Sequence, residues 1–419
     1  MLSPLDASSK AGRPGAPTPA RIVVVVGSLD NGGTERHLLQ VLPALDRARF
    51  RPEVFALQRR GVLANRLEAA GVPVRAPWIS GGRDWHALLK IARLMLVTFQ
   101  LWAYLLVKRP GAVHMFLPAS YLLGMPAACM ALVRRRLMSR RSRNHYQQNK
   151  RLAGWFERRW HRLASAIVGN SQRVMDDLLH DEKVPPGRAA LIYNGVEPMV
   201  IAPDRAVTRA ALGISAHQLV IVMVANLIAY KGHRDLIDAC GRVTDRLPPD
   251  WRLLIVGRDD GIEGELADRA RRVGIAANVQ FLGERDDAPA LLVAADIGVL
   301  ASHEEGFSNA LLEMMSAGLP AVATDVGGNA EAVIDGACGL IVPPRDPSAL
   351  GAALARLASA PELRARFGAA ARARVEEHFT VRRCVAAYED LYEAVLNRTS
   401  LAQVGEPLRQ ASSSAQVPS

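Results

Sequence analysis

The chain has 419 residues, of which 49% are apolar and 22% charged; that is room for two domains with separate cores, and the balance excludes a disordered chain. Its four cysteines (Cys129, Cys240, Cys338, Cys384) lie far apart, without a Cys-x-x-Cys pair, which excludes a disulfide framework or a cysteine zinc site and fits buried thiols in a reducing cytosol. The formal charge is +11, and nearly all of it falls between Arg134 and Arg162, where eleven Arg or Lys accompany one acid, Glu157.

Residues 1–20, rich in Ser, Ala, Pro and Gly without an apolar run, read as a disordered lead-in with no secretory signal. The run from Arg21 to Gly27, unbroken in β-branched residues, predicts a parallel strand buried on both faces. It passes through Asn31-Gly32-Gly33-Thr34 into a helical pattern from Glu35 to Leu45. Strand, glycine loop and helix make the opening unit of a doubly wound sheet.

From Ile91 to Val133 the chain is very apolar. The stretch Ile91–Val107 contains Arg93 and is shorter than a spanning helix needs. Ala112–Val133 lacks charge, but Pro118 and Pro126 interrupt it, and its start reads as a strand through Leu117. The basic segment Arg134–Arg162 follows, with Tyr146, Trp155, Phe156 and Trp160 interleaved. Such a stretch suits an anionic membrane surface, phosphorylated substrates or a solvated helix face. Nucleic acid is not expected, because no nucleic-acid module accompanies it.

Strand-like runs recur at 166–169, 190–193, 219–225, 252–256, 279–282, 297–300 and 321–323, mostly separated by helix-length segments. The expected class is α/β, with too many strands for one sheet. The stretch Asn194–Pro203, with Gly195 and two prolines, is the best linker and hinge. It divides a domain at 21–195 from one at 196–380. Residues 399–419 read as a disordered tail.

The most informative segment runs from Ser302 to Pro320. Ser308 is a natural helix N-cap, and Gly318 with Pro320 stops the helix. Glu305 then lies in the preceding loop and Glu313 within the helix. The free N–H groups of Phe307, Ser308, Asn309 and Ala310 would point from the helix start toward a diphosphate. Carboxylates accept hydrogen bonds from vicinal hydroxyls, so one can hold a sugar ring and the other a ribose. Earlier, a strand empties into a loop with Lys231-Gly232, and a lysine there can meet departing phosphate charge. Gly32 and Gly33 let backbone N–H groups approach a ligand. This is neither a G-x-G-x-x-G nor a P-loop.

Glu305 and Glu313 form an E-x7-E pair, and the stretch Glu305–Glu331 resembles the donor site of glycosyltransferase family 4. The likeness extends from Gly32-Gly33 through Asn194-Gly195, Lys231-Gly232 and Gly327-Gly328 to Asp346. It implies the GT-B fold: two Rossmann-like doubly wound domains facing across a cleft, an N-terminal acceptor domain and a C-terminal nucleotide-sugar donor domain. A helix at 381–398 would cross back onto the first domain. It further implies a retaining glycosyltransferase without metal or cofactor, taking a nucleoside diphosphate sugar, UDP or GDP. The acceptor would be a saccharide or lipid-linked saccharide, in exopolysaccharide or other cell-surface polysaccharide synthesis. The expected location is the cytoplasm, peripheral at the inner membrane face, with Arg134–Arg162 on anionic lipid.

By that resemblance Glu305 contacts the donor sugar, Glu313 the ribose, Lys231 the diphosphate, and Gly33 lies across the cleft; Gly306 belongs to the same loop and Gly283 neighbours the base. Two positions depart from the pattern. Asn226 stands where an arginine often shares the phosphate charge. His114, an acceptor-side catalytic candidate or a core histidine, is followed by Phe116 where a second histidine is common. A nucleotide-sugar epimerase of the same fold and a non-catalytic binding protein at the membrane are the competing readings.

Overall fold

The computed structural model describes residues 18–30, 32–78, 86–142, 151–198, 204–402 and 404–405. Most of the lead-in and the tail, Asn31, Tyr146 and the end of the linker lie outside them.

The first domain runs β1 (Ala20–Ser28), α1 (Gly33–Ala44), β2 (Phe50–Arg59), α2 (Ala64–Ala69), β3 (Val74–Arg75), α3 (Ala87–Lys108) and β4 (Ala112–Phe116). It continues with α4 (Pro118–Met130), β5 (Arg136–Arg140), α5 (Arg151–His161), β6 (Ala166–Gly169), α6 (Gln172–Asp176) and β7 (Ala189–Leu191). The second runs α7 (Arg205–Ala211), β8 (Val220–Val224), α8 (His233–Arg242), β9 (Arg252–Val256), α9 (Glu263–Arg272), β10 (Val279–Phe281), α10 (Ala288–Ala294) and β11 (Ile297–Leu300). Then come α11 (Asn309–Ser316), β12 (Ala321–Thr324), α12 (Asn329–Ala332), β13 (Gly339–Val342), α13 (Pro347–Ala358), α14 (Pro361–His378) and α15 (Val381–Asn397).

The sheets are parallel, ordered β3-β2-β1-β4-β5-β6-β7 and β10-β9-β8-β11-β12-β13. Alternate residues of β1 face opposite ways, as the strand period requires. Ile22, Val24 and Val26 pack with α1 and with Tyr388 and Tyr392 of α15. Val23 and Val25 pack with Val97 and Leu101 of α3 and Tyr121 and Met125 of α4. The last helix therefore completes the first domain's core, although it follows the second in sequence.

The chain crosses between the sheets twice, and the crossings touch. Val196 N donates to Phe379 O at 2.8 Å, and Val381 N donates to Val196 O at 3.2 Å. Gly195 is required there, because a Cβ would lie 2.4 Å from Thr380 O. Arg173 of α6 reaches across to Asp325, 2.7 Å from Nη2 to Oδ1, and Tyr193 donates to Glu331 at 2.8 Å.

Two expectations change. Ile91–Val107 is not a short apolar run but most of the 22-residue helix α3. The basic segment, in turn, is not one surface. Its first part is β5, an interior strand between β4 and β6. Arg140 there is 1% exposed and ion-paired to Glu157 at 2.5 Å and Glu182 at 2.8 Å. Arg135 caps the carbonyls of Val395 and Leu396.

Candidate active site

In each sheet the strand order reverses beside the first strand, between β1 and β4 and between β8 and β11. At such points neighbouring connections leave in opposite directions and open a crevice beyond the strands' carboxyl ends. The two crevices face one another as one cleft. Gly32, Gly33 and Arg36 border it after β1, Asn226 and Lys231 after β8, and Glu305, the helix start from Phe307 to Ala310, and Glu313 after β11.

After β11, the loop that carries Glu305 rests on Gly327, whose φ is +51° and whose Cβ would lie 2.2 Å from Glu305 O. Gly328 N donates to Gly306 O at 2.8 Å. Ser308 caps α11, its Oγ accepting from Leu311 N at 3.3 Å. Phe307, Ser308, Asn309 and Ala310 thus bring the start of α11 to the cleft, and the first turn of a helix leaves N–H groups without intrahelical partners.

Lys231 Nζ donates to Glu305 Oε1 at 2.7 Å, and Ser302 Oγ donates to the same oxygen at 2.7 Å. Burial works against the Lys231 charge, but the neighbouring carboxylate outweighs it and holds the ammonium above the ordinary lysine range. Glu313 differs: among the described residues no donor hydrogen-bonds its carboxylate. Burial raises its pKa above the usual range, with the Arg36 charge pulling the other way. The paired lysine and the Glu313 carboxylate thus sit in the same cleft in different electrostatic settings.

The remaining residues named from sequence fall in three groups. Gly33 opens to the cleft, where an added Cβ would meet nothing within 4 Å. Asn226 also borders it, its Oδ1 accepting from Arg258 N at 3.2 Å. Gly283 and Gly306 stand just outside. Gly283 O accepts from Gly257 N at 2.9 Å, and its neighbours Glu284 and Arg285 line the cleft instead. Gly306 lies at the domain junction, where a Cβ would be 2.3 Å from Arg141 O.

His114 is not at the cleft. It is 0% exposed inside the first domain, with Nδ1 3.0 Å from Tyr392 Oη and Nε2 2.8 Å from Ser139 Oγ. Burial, and secondarily the Arg141 charge, pushes its pKa down to about 3. It is a neutral histidine that ties α15 to the sheet, so the acceptor-side role is withdrawn. Phe116, with its ring centroid 4.4 Å from that of His114, is also core.

Sequence reasoning missed Arg36, Arg141 and Asn170 at this cleft. Arg141 Nη2 donates to Asn194 Oδ1 at 2.8 Å, and Asn194 Nδ2 donates to Phe307 O at 2.8 Å and Asn309 Oδ1 at 2.7 Å. Asn309 in turn donates to Gly33 O at 3.3 Å. A relay of amides therefore spans both domains and ends on a cation. Its one sequence signal was Asn194-Gly195; Arg141 was hidden among ten other basic residues. Among the described residues no group of three His, Cys, Asp or Glu is spaced to hold a metal.

A model of the family described as Glycosyltransferase Family 4 matches residues 31–199. One described as Glycosyl transferases group 1 matches residues 204–374. The chain is 33% identical over 215 residues to the D-inositol 3-phosphate glycosyltransferase of Corynebacterium glutamicum (strain R), covering 49% of this chain and 51% of that protein. It is 29% identical over 219 residues to the N-acetyl-alpha-D-glucosaminyl L-malate synthase of Bacillus anthracis, covering 52% and 56%. The chain spans about half the length of the curated relatives it matches. The solved structure of Anabaena Alr3699/HepE in complex with UDP-glucose has the same fold. Its TM-score is 0.76 at 23% identity, over 90% of this chain and 100% of that one.

Proposed function

Because the chain belongs to glycosyltransferase family 4, the group 1 glycosyl transferases, we propose that it transfers a hexosyl group from a nucleoside diphosphate sugar, UDP or GDP, to a saccharide or lipid-linked saccharide. Transfer retains the anomeric configuration, uses no metal ion, and serves cell-surface polysaccharide assembly at the inner membrane face. The observation that carries this reading is the cleft floor: a lysine beside a helix N-terminus, and a half-buried carboxylate to which no described residue donates. HepE's complex with UDP-glucose supports a nucleotide-sugar donor, UDP-linked in the first instance.

In this mechanism the diphosphate lies against the N–H groups opening α11, and Lys231 turns from Glu305 toward it. Glu305 then accepts hydrogen bonds from donor-sugar hydroxyls, and Glu313 from the ribose. The bond between the anomeric carbon and the phosphate oxygen breaks, and charge grows on that oxygen beside Lys231. The acceptor oxygen attacks the same face, and its proton passes to the departing phosphate. Arg141 and Arg36 border the same cleft and add to the positive field, so charge compensation does not depend on position 226.

A thermal-shift titration against UDP, GDP, ADP, dTDP, CMP and their sugars, with chelator present, tests the reading. One nucleoside diphosphate raising Tm, with the shift lost in Glu313→Ala, is expected. A flat panel overturns the donor site, and a shift that needs added divalent metal overturns the metal-free mechanism.

A further inference from the structure

Helix α3 has two apolar faces, and the described residues cover only one. Val97, Leu101 and Leu105 are at most 1% exposed against the sheet and α4. Leu88, Ile91, Met95, Phe99 and Leu106, spaced by three, four and seven residues, form a single outer stripe and are 42–80% exposed. At 1.5 Å per residue that stripe is about 27 Å long. Trp78 stands beside it, its N–H donating to Gln100 Oε1 at 3.3 Å while the side chain is left 91% exposed. A contiguous apolar strip of this size on a water-facing helix marks a contact surface.

Length and composition alone would let α3 span a bilayer, but its inner residues fix it to the domain. Arg93 also donates from mid-helix to Gln58 O on β2 at 3.3 Å. The helix therefore lies flat. The same layer continues through α4 to α5, where Trp155 and Phe156 are 55% and 46% exposed beside exposed Arg158 and Arg159. Met130, the last residue of α4, and Leu132 just past it are also exposed.

This charge pattern selects the occupant. A second copy of the chain on this face would bring one α5 with its arginines against another, which like charges oppose. The chain's own undescribed ends, 1–17 and 406–419, are mostly Ser, Ala, Pro and Gly with few apolar residues to cover the stripe. An anionic bilayer matches both parts: acyl chains for the stripe, and headgroups for the tryptophans and arginines.

We propose that α3 is a membrane-docking helix, lying in the headgroup–acyl boundary of an anionic bilayer with Trp78 and α5 beside it. This rests on the reading of a lipid-borne acceptor, but it moves the attachment from the charge of Arg134–Arg162 to apolar insertion by a different element.

The test is flotation of the full chain with phosphatidylcholine vesicles, with and without 30% phosphatidylglycerol, at low and high salt. The expected result is binding to the anionic vesicles, weakened but not abolished by salt. Quenching of tryptophan fluorescence by brominated lipid should diminish in Trp78→Phe. Met95→Asp with Phe99→Asp, both already exposed, is expected to lower vesicle partitioning at least tenfold while leaving the nucleotide-induced Tm shift unchanged. Equal binding by this variant, absence of wild-type binding, or a wild-type dimer that the substitutions split on light scattering overturns the proposal. Loss of the nucleotide response in the wild type would instead count against the transferase reading, so the two failures are distinguishable.

Discussion

Nζ of Lys231 and Oε1 of Glu305 lie 2.7 Å apart, joined across the loops that leave β8 and β11. The pair is mostly buried, with side-chain exposures of 19% and 11%, and the carboxylate holds the lysine charged until a ligand separates them. A diphosphate would take over the lysine and free the carboxylate for hydroxyls. Lys231→Ala should therefore lower kcat by about 100-fold or more, the scale of removing one donor from a developing oxyanion. Steady-state kinetics with saturating donor checks this; a change confined to KM would place the lysine in ground-state binding.

Glu313 tests the ribose role in two ways. Its pKa is raised by burial, so its contribution to stability is full below the unfolded carboxyl pKa and is lost as pH rises through the folded one. At neutral pH the ionised group therefore costs stability. Glu313→Gln should stabilise the unliganded protein by about 1 kcal/mol at neutral pH, flatten that pH dependence, and weaken nucleotide binding at least tenfold. Thermal melts and calorimetric titration read both effects.

The Arg173–Asp325 pair joins the two domains at 2.7 Å, but its side chains are 37% and 42% exposed. Screening limits such a pair to about 0.5 kcal/mol of stability. Its consequence lies in closure. Arg173→Ala should leave Tm within a few degrees yet raise release of free sugar from the donor when acceptor is withheld, because a looser cleft admits water.

The Arg140 cluster makes a prediction about acid. Burial alone would raise the Glu182 pKa, but the hydrogen bond with His161 and the Arg140 charge outweigh it and hold it low. Its contribution is thus full above the unfolded carboxyl pKa and is lost as pH falls through the folded value. Glu182→Gln leaves Arg140 short of a partner and should cost about 3 kcal/mol at neutral pH. The acid limb of stability should be shallower in the variant, as denaturant melts from pH 3 to 7 would record.

His114 separates a structural from a catalytic histidine. With its folded pKa down to about 3, its contribution is present above the unfolded imidazole pKa and is lost as pH falls toward the folded one. His114→Ala should cost about 2–3 kcal/mol through the broken Tyr392 and Ser139 contacts and the cavity left behind. The transfer rate per folded molecule, assayed well below Tm, should stay within about twofold.

The fold class and the donor half of the cleft were legible in the sequence for local reasons. A β-branched run such as Arg21–Gly27 can be buried only in a covered parallel strand. Ser308, Gly318 and Pro320 set the ends of a helix by backbone chemistry within a few residues. Other elements resisted. β2 carries Pro52 near its start, yet its pairing with β3 begins only at Val54, so the missing N–H interrupts no ladder. β5 reads as part of a basic stretch, because two of its five residues are arginines.

What the chain by itself determined is whatever depends on neighbours in sequence: strand and helix runs, the cap of α11, the E-x7-E spacing and the glycine loops. What only the tertiary structure decided is which charges meet. Arg140 is silenced by Glu157 and Glu182, Arg141 reaches the cleft through Asn194, and His114 turns inward to a tyrosine 278 residues away. The physical reason is one of range. Torsional preferences act over a few residues, whereas burial and ion pairing depend on which distant segments the two sheets bring to the same point in space.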